Sequence, residues 1–449
     1  MNEVTSKNIE TVTGALEEYL QRIIQTTQFN LQDFVNFMEP KFTEAGYRDL
    51  PRQGKNNILI ILDALGIGDF MWKTAVIREI RRVYPNANIR LVMYPAAAVM
   101  AETCPYIDEL ILNPANPTEV DFLKIFQHNV QFTRKLLTER TDICFAFTYY
   151  LCTPLFMYMS GARERISYAF EDDTRNCPDV SAAPNLNFSP IKRQHLNSLA
   201  TISVPQFLYG GHNVDISLAP LEYLLRAPVA KRDMEVWQTP FDMNVARNMI
   251  QGRSGKIYAL AMGGNTLNKH YPPEKYARLM EMILAEEPDA TFAVIGGGRN
   301  DLISTQILQN AAPEIYSKNV ISLVNKVTYR QTAAVLSLCN MYIGNDTGSM
   351  HIAAAVKIPC LAVFCYPVDV IYTRVSATNT SYPYHVPNVI VQPEHALPEC
   401  ANDIFSHYGC KATNTVHCIS QITPEKVFEG FHLLKERAAE KNIEPLRIH

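Results

Sequence analysis

The chain has 449 residues, 47% of them hydrophobic and 19% charged, with a formal charge of -4. That length suits two or three domains with ample core, and the charge excludes a global basic field for nucleic acid. No apolar run reaches the roughly 20 residues of a membrane span, and the N-terminus lacks a basic stretch followed by an apolar one, so a cytoplasmic protein is expected.

The ten cysteines are scattered through long folded stretches. This fits reduced thiols better than a disulfide framework.

Residues 1–50 read as a helical extension. Apolar residues recur at three and four: Leu16, Leu20, Ile23 and Ile24, then Leu31, Phe34, Val35 and Phe37. From Asn57 the pattern changes. The strand "NILIILD" runs into a Gly turn and a helix ending near Tyr84-Pro85; "NIRLVMY", "IDELILN" and "DICFAFTY" follow as strands, with helices near 96–103 and 120–138. Such alternation predicts a parallel, doubly wound α/β sheet. The stretch from Phe170 to Pro190 reads as an irregular loop.

Near Leu225 the alternation lapses into "RAPVAKRDMEVWQTP", which suits a linker. A second series then begins. "KIYALAM", "TFAVIGGG", "NVISL", "MYIGND" and "PCLAVFCY" read as strands, separated by helices over "PPEKYARLMEMILAEEP", "NDLISTQILQNA", "YRQTAAVLSLC" and "SMHIAAAV". Two Rossmann-like halves imply a cleft between them, with ligands at the carboxyl ends of the strands.

Three turns carry the chemistry. The first is Gly66-Ile67-Gly68-Asp69, between a strand and a helix start. A dinucleotide fingerprint would need a third glycine at Met71, and the second strand ends without an acid to hold a ribose, so an NAD site is disfavoured. Asp69 is either a helix cap or a general base for an acceptor hydroxyl, kept ionised by neighbouring N–H groups.

The second turn is "YIGNDTGSMHIAAAV". Here Asp346, Thr347, Gly348 and Ser349 open a helix with amides and hydroxyls that suit a phosphate, although an ordinary capped turn has the same pattern. His351 follows, readable as a structural histidine or a ligand. The third is "LAMGGNTLNKHYPPEKY", where Gly263 and Gly264 permit close backbone approach, Thr266 offers a hydroxyl and Lys269 a mobile cation for phosphate. "VIGGGRND" adds another Gly-rich strand end on the same half, closing with Asp301.

This ordered set, from about Asn57 to about Leu434, resembles glycosyltransferase family nine, the ADP-heptose:lipopolysaccharide heptosyltransferases. The resemblance implies a GT-B fold, in which two Rossmann-like domains face across a cleft, here with the N-terminal helical extension added. It implies a division into the 1–50 extension, a 51–235 acceptor domain and a 236–449 nucleotide-sugar domain. It further implies inverting, metal-independent transfer of heptose from ADP-heptose to a surface glycan such as lipopolysaccharide core.

In that resemblance Asp69 is the base, and Lys269 and Thr266 contact donor phosphate. Asp346, Thr347 and Gly348 form the phosphate and heptose turn, with His351 beside it. Asp301 is the nearest candidate for the ribose. Tyr271 stands where many members have Trp. Asp69 and the Lys269/Thr347 group, on different halves, are expected to meet only on closure.

Basic positions Lys73, Arg78, Arg134, Lys135, Arg163 and Arg165 are candidates for an anionic acceptor, and a peripheral membrane contact is compatible with such a substrate. A protein acceptor of the autotransporter type, a non-catalytic nucleotide-sugar-binding module and a sugar epimerase are the competing readings.

The C-terminal segment holds Cys400, His407, Cys410, His417 and Cys418. Thiolates and imidazoles at that density can hold a structural zinc or iron, and some relatives carry cysteines in this tail. The spacing lacks a paired C-x-x-C pattern, so packed or surface thiols are the expectation. No cofactor is expected for catalysis.

Overall fold

The computed structural model describes residues 4–49, 56–62, 66–115, 121–147, 152–169, 187–188, 193–205, 211–264, 266–368, 377–398 and 417–449. Most of the loop expected over 170–190 lies outside them. The chain forms two compact units. The first comprises Met1–Leu65, Ala75–Gly210 and Asp215–Arg232; the second comprises Gly66–Thr74, Gly211–Val214 and Asp233–His449.

The first unit is built on a six-stranded parallel sheet. Its strands are β1 (Asn57–Leu62), β2 (Asn88–Met93), β3 (Glu109–Leu112), β4 (Ile143–Phe147), β5 (Glu164–Ala169) and β6 (Ile202–Pro205), in the order β3-β2-β1-β4-β5-β6. This is the doubly wound order, in which the strand sequence reverses direction beside β1. β1, β2 and β4 are almost wholly apolar and buried, as expected of strands covered on both faces.

β5 and β6 were not predicted from the sequence. β5 opens with the charged pair Glu164-Arg165, and β6 is short and half-exposed at the sheet edge, so neither gives the apolar run that marks an inner strand.

The two N-terminal helices, α1 (Ser6–Thr26) and α2 (Leu31–Glu44), belong to this unit's core. α1 starts at a reciprocal cap: Thr5 accepts from the Asn8 amide, and the Asn8 side chain accepts from the Thr5 amide. Their apolar faces interleave with the helices Phe122–Leu136 and Cys152–Met159. Phe34 lies edge-on to Phe126 at 5.5 Å and to Tyr158 at 5.8 Å. Arg48 locks the junction, pairing with Glu39 and donating to the carbonyls of Gly161 and Ala162.

The second unit has a seven-stranded parallel sheet: β7 (Ile257–Ala261), β8 (Thr291–Ile295), β9 (Val320–Ser322), β10 (Met341–Asn345), β11 (Cys360–Val363), β12 (Asn388–Val391) and β13 (Leu446–Ile448), ordered β9-β8-β7-β10-β11-β12-β13. The reversal lies between β7 and β10, where the carboxyl ends of adjacent strands splay and leave a crevice for ligands.

β12, β13 and the helix Pro424–Glu440 extend this unit beyond the sequence-predicted elements. No helix of the described residues is long and apolar enough to cross a membrane.

Phe34 is fully buried at the centre of the helical layer. Its removal leaves an aromatic-sized void that the surrounding rings cannot fill. Phe34→Ala is therefore expected to destabilise the first unit by about 3–5 kcal/mol, read from the guanidinium midpoint.

Candidate functional site

The crevice is built from the ends of β7 and β10. Asn345 ties them together: its amide donates to the carbonyls of Met262 at 2.6 Å and Gly263 at 3.1 Å, and its oxygen accepts from Tyr276 at 2.7 Å. The sequence marks Asn345 only as a strand end. Its bridging role depends on a tyrosine far along the chain, which spacing does not reveal.

Asp346 follows, 5% exposed, and accepts from Lys269 Nζ at 2.7 Å. Thr347 then caps the helix Gly348–Ala355 without a side-chain cap bond, because its hydroxyl pairs with Ser349 at 2.7 Å. The leading N–H groups of the helix therefore receive no side-chain acceptor from the cap residue, an arrangement that suits an anion.

Lys269 closes the short turn Leu267–Lys269, whose amides fold back on Thr266 and Leu267. His270 donates from Nε2 to the Gly264 carbonyl, 3.0 Å away. Three polar atoms here are buried without a partner, Thr266 Oγ1, Tyr271 Oη and Asp301 Oδ1. Such orphans are rare and mark where a bound group completes the network.

Asp301 sits in a niche that only glycine permits. A Cβ on Gly263 would lie 1.9 Å from its Oδ1, and one on Gly296 would lie 2.6 Å from its Oδ2. Burial raises its pKa above the usual carboxylate value, opposed by the Gly297 amide and by His270. Tyr271 is fully buried, edge-on to Tyr276 at 5.0 Å.

The Gly66–Thr74 stretch packs in this same unit. The sequence groups Asp69 with the first half of the chain and expects it to meet Lys269 only on closure. In the structure the turn already stands against the Gly348–Ala355 helix. A Cβ on Gly348 would fall 1.8 Å from Ile67 Cγ2, and one on Gly68 would fall 2.9 Å from the His351 ring. His351 is buried and held neutral by desolvation, which depresses its pKa to about 4.

Asp69 takes the capping place that the sequence allows it. Its Oδ2 accepts from the Gly66 amide at 3.1 Å, which caps the helix Ile67–Met71. That bond engages one of its two carboxylate oxygens. Burial raises the pKa of the carboxyl, opposed by the Gly66 N–H and by the cations Lys73 and Lys269. Lys73 is itself buried, and desolvation brings its pKa down to about 8 while Asp69 pulls it upward.

The remaining basic candidates are placed differently. Arg78 is buried and bound to Glu79 and the Lys231 carbonyl. Arg165 is buried on the carbonyls of Leu199 and Ala162, and Arg163 pairs with Glu164. Arg134 and Lys135 are exposed in the last turn of their helix. Cys400, His407 and Cys410 lie outside the described residues. Cys418 is buried and accepts the Leu397 amide at its sulfur, and His417 stands near His270. Among the described residues no three potential metal ligands converge.

Residues 220–393 match the model for glycosyltransferase family 9 (heptosyltransferase). A 96-residue stretch is 30% identical to lipooligosaccharide heptosyltransferase 2 of Haemophilus influenzae, covering 21% of this chain and 27% of that protein. The chain thus matches about a quarter of that relative's length. Lipopolysaccharide heptosyltransferase 3 of Escherichia coli aligns over 299 residues at 21% identity, covering 66% of this chain and 80% of that one. Among solved structures, E. coli ADP-heptose lps heptosyltransferase II superposes with a TM-score of 0.60 at 16% identity, over 85% of this chain and 99% of that one. The fold is GT-B.

Removing the Lys73 cation leaves Asp69 with less to offset its burial. Lys73→Met is expected to raise the pH at which the Asp69 carboxyl titrates, measured by carboxyl-selective infrared difference spectroscopy. The ionised form would then be lost at a higher pH on acidification than in the parent chain.

Proposed function

We propose that this chain, whose residues 220–393 match the glycosyltransferase family 9 model, is an inverting, metal-independent transferase moving heptose from ADP-heptose to a hydroxyl of a surface glycan such as lipopolysaccharide core. The observation that supports this most is the convergence of a partly buried carboxylate, Asp69, with a lysine–aspartate pair and an open helix start in one compact unit. The donor and acceptor class are taken from the heptosyltransferases to which the chain is similar. A cytoplasmic location suits such a donor.

In this reading Asp69 removes the proton from the acceptor hydroxyl as its oxygen attacks the anomeric carbon. The carbon–oxygen bond to the diphosphate breaks on the opposite face, which inverts the configuration. Lys269 and the amides opening the Gly348–Ala355 helix take up the charge that develops on the leaving ADP. The raised pKa of Asp69 makes it a stronger base than an exposed carboxylate, provided it stays ionised; Lys73 and Lys269 supply that bias. Thr266 and Asp301, each with a buried atom lacking a partner, are the groups that donor binding would complete.

Two substitutions test the reading. Asp69→Ala is expected to abolish transfer while calorimetric binding of ADP-heptose survives; turnover at the parent rate would remove Asp69 from the role of base. Lys269→Ala is expected to weaken donor binding by about tenfold or more, as the loss of a charge-assisted contact implies. Both are run with lipopolysaccharide core and with a co-expressed adhesin as acceptors, which separates glycan from protein transfer.

A further inference from the structure

The acid-bearing turn is held on the second unit by contacts that the chemistry above does not use. Ile67 fits the gap left by Gly348, and Phe70 lies edge-on to Trp237 at 6.3 Å. Thr74 accepts the Glu235 amide at 3.0 Å. A second polar contact is made by Trp72, whose Nε1 lies 3.3 Å from His351 Nδ1, with the rings edge to face at 5.1 Å.

An indole nitrogen can only donate, so His351 Nδ1 must be the acceptor, and a neutral His351 must carry its proton on Nε2. The groups that act electrostatically on this ring are Asp346, Lys269 and His212. Asp346 and Lys269 belong to the phosphate turn. Trp72 therefore reaches from the turn that carries Asp69 to a ring seated among the donor groups.

We propose that Trp72 is a positioning residue: its indole N–H fixes the tautomer of His351 and holds the Asp69 turn in register with the Thr347–Ser349 turn. This inference rests on the transferase reading above and deepens it. Trp72 touches neither reacting partner. It acts by keeping the base and the leaving-group site at a fixed separation, and a displacement of about 1 Å in such a pair can cost on the order of a hundredfold in rate.

The experiment combines turnover with nitrogen NMR of the 15N-histidine-labelled protein. In the parent chain, His351 is expected as the Nε2–H tautomer from pH 6 to 8; an Nδ1–H tautomer would overturn the proposal whether or not any variant folds. Trp72→Phe keeps an aromatic ring and removes the donor. It is expected to lower kcat about tenfold, to leave donor affinity within about twofold, and to mix the His351 tautomers. Unchanged kcat, or an unchanged tautomer, would overturn the proposal. A loss of donor affinity with kcat preserved would also overturn it, because that is the signature of a general packing role. The NMR arm needs no turnover, so a parent chain that transfers no sugar would defeat the transferase reading without obscuring the Trp72–His351 bond.

Discussion

The site depends on one steric allowance. Two helix starts, Ile67–Met71 and Gly348–Ala355, approach so closely that neither Gly68 nor Gly348 has room for a methyl group. This approach places a carboxylate beside an amide-rich helix end and near a lysine. It also buries the His351 ring, where desolvation lowers its pKa to about 4 and keeps it neutral near pH 7. Much of the electrostatics follows from that packing. Burial favours the protonated acid, and two lysines counter it.

Both units bury polar atoms without partners, and in the second unit some of them lie at the strand ends that form the crevice. Thr266 Oγ1 and Asp301 Oδ1 are sealed without partners at the strand ends of the second sheet. In the first unit Arg78, Arg163 and Arg165 are bound to their own unit's carbonyls and carboxylates. A cation bound in that way is a weak recruiter of an anionic substrate, since a new partner must first displace the old one. Counting basic residues along the sequence cannot distinguish these cases. Exposure and partners decide them.

Most inner strands were legible because a strand covered on both faces leaves a run of apolar residues, as in "NILIIL" and "TFAVI". The edge strands β3 and β9 were legible too, but the edge strands β6 and β13 were not. β13 has three half-exposed residues and no apolar signature. The three glycine-marked turns were also legible, since a strand ending in glycine before a helix has few other uses. What was not legible were the couplings across long separations: Asn345 to Tyr276, Trp72 to His351, and Asp301 to Gly263. Each is a product of packing, and none has a local spacing. The choice between cap and base for Asp69 was open in sequence for a physical reason, because one carboxylate has two oxygens.

The manner in which α1 and α2 join the first unit has a practical bearing. Phe34, Phe42, Phe126 and Tyr158 form one continuous aromatic layer, contributed by segments 84 to 124 positions apart. An expression clone trimmed to begin at Asn57 would strip half of that layer and expose rings that have no other cover. Truncation here amounts to cutting through a core, and insoluble product would be its natural result.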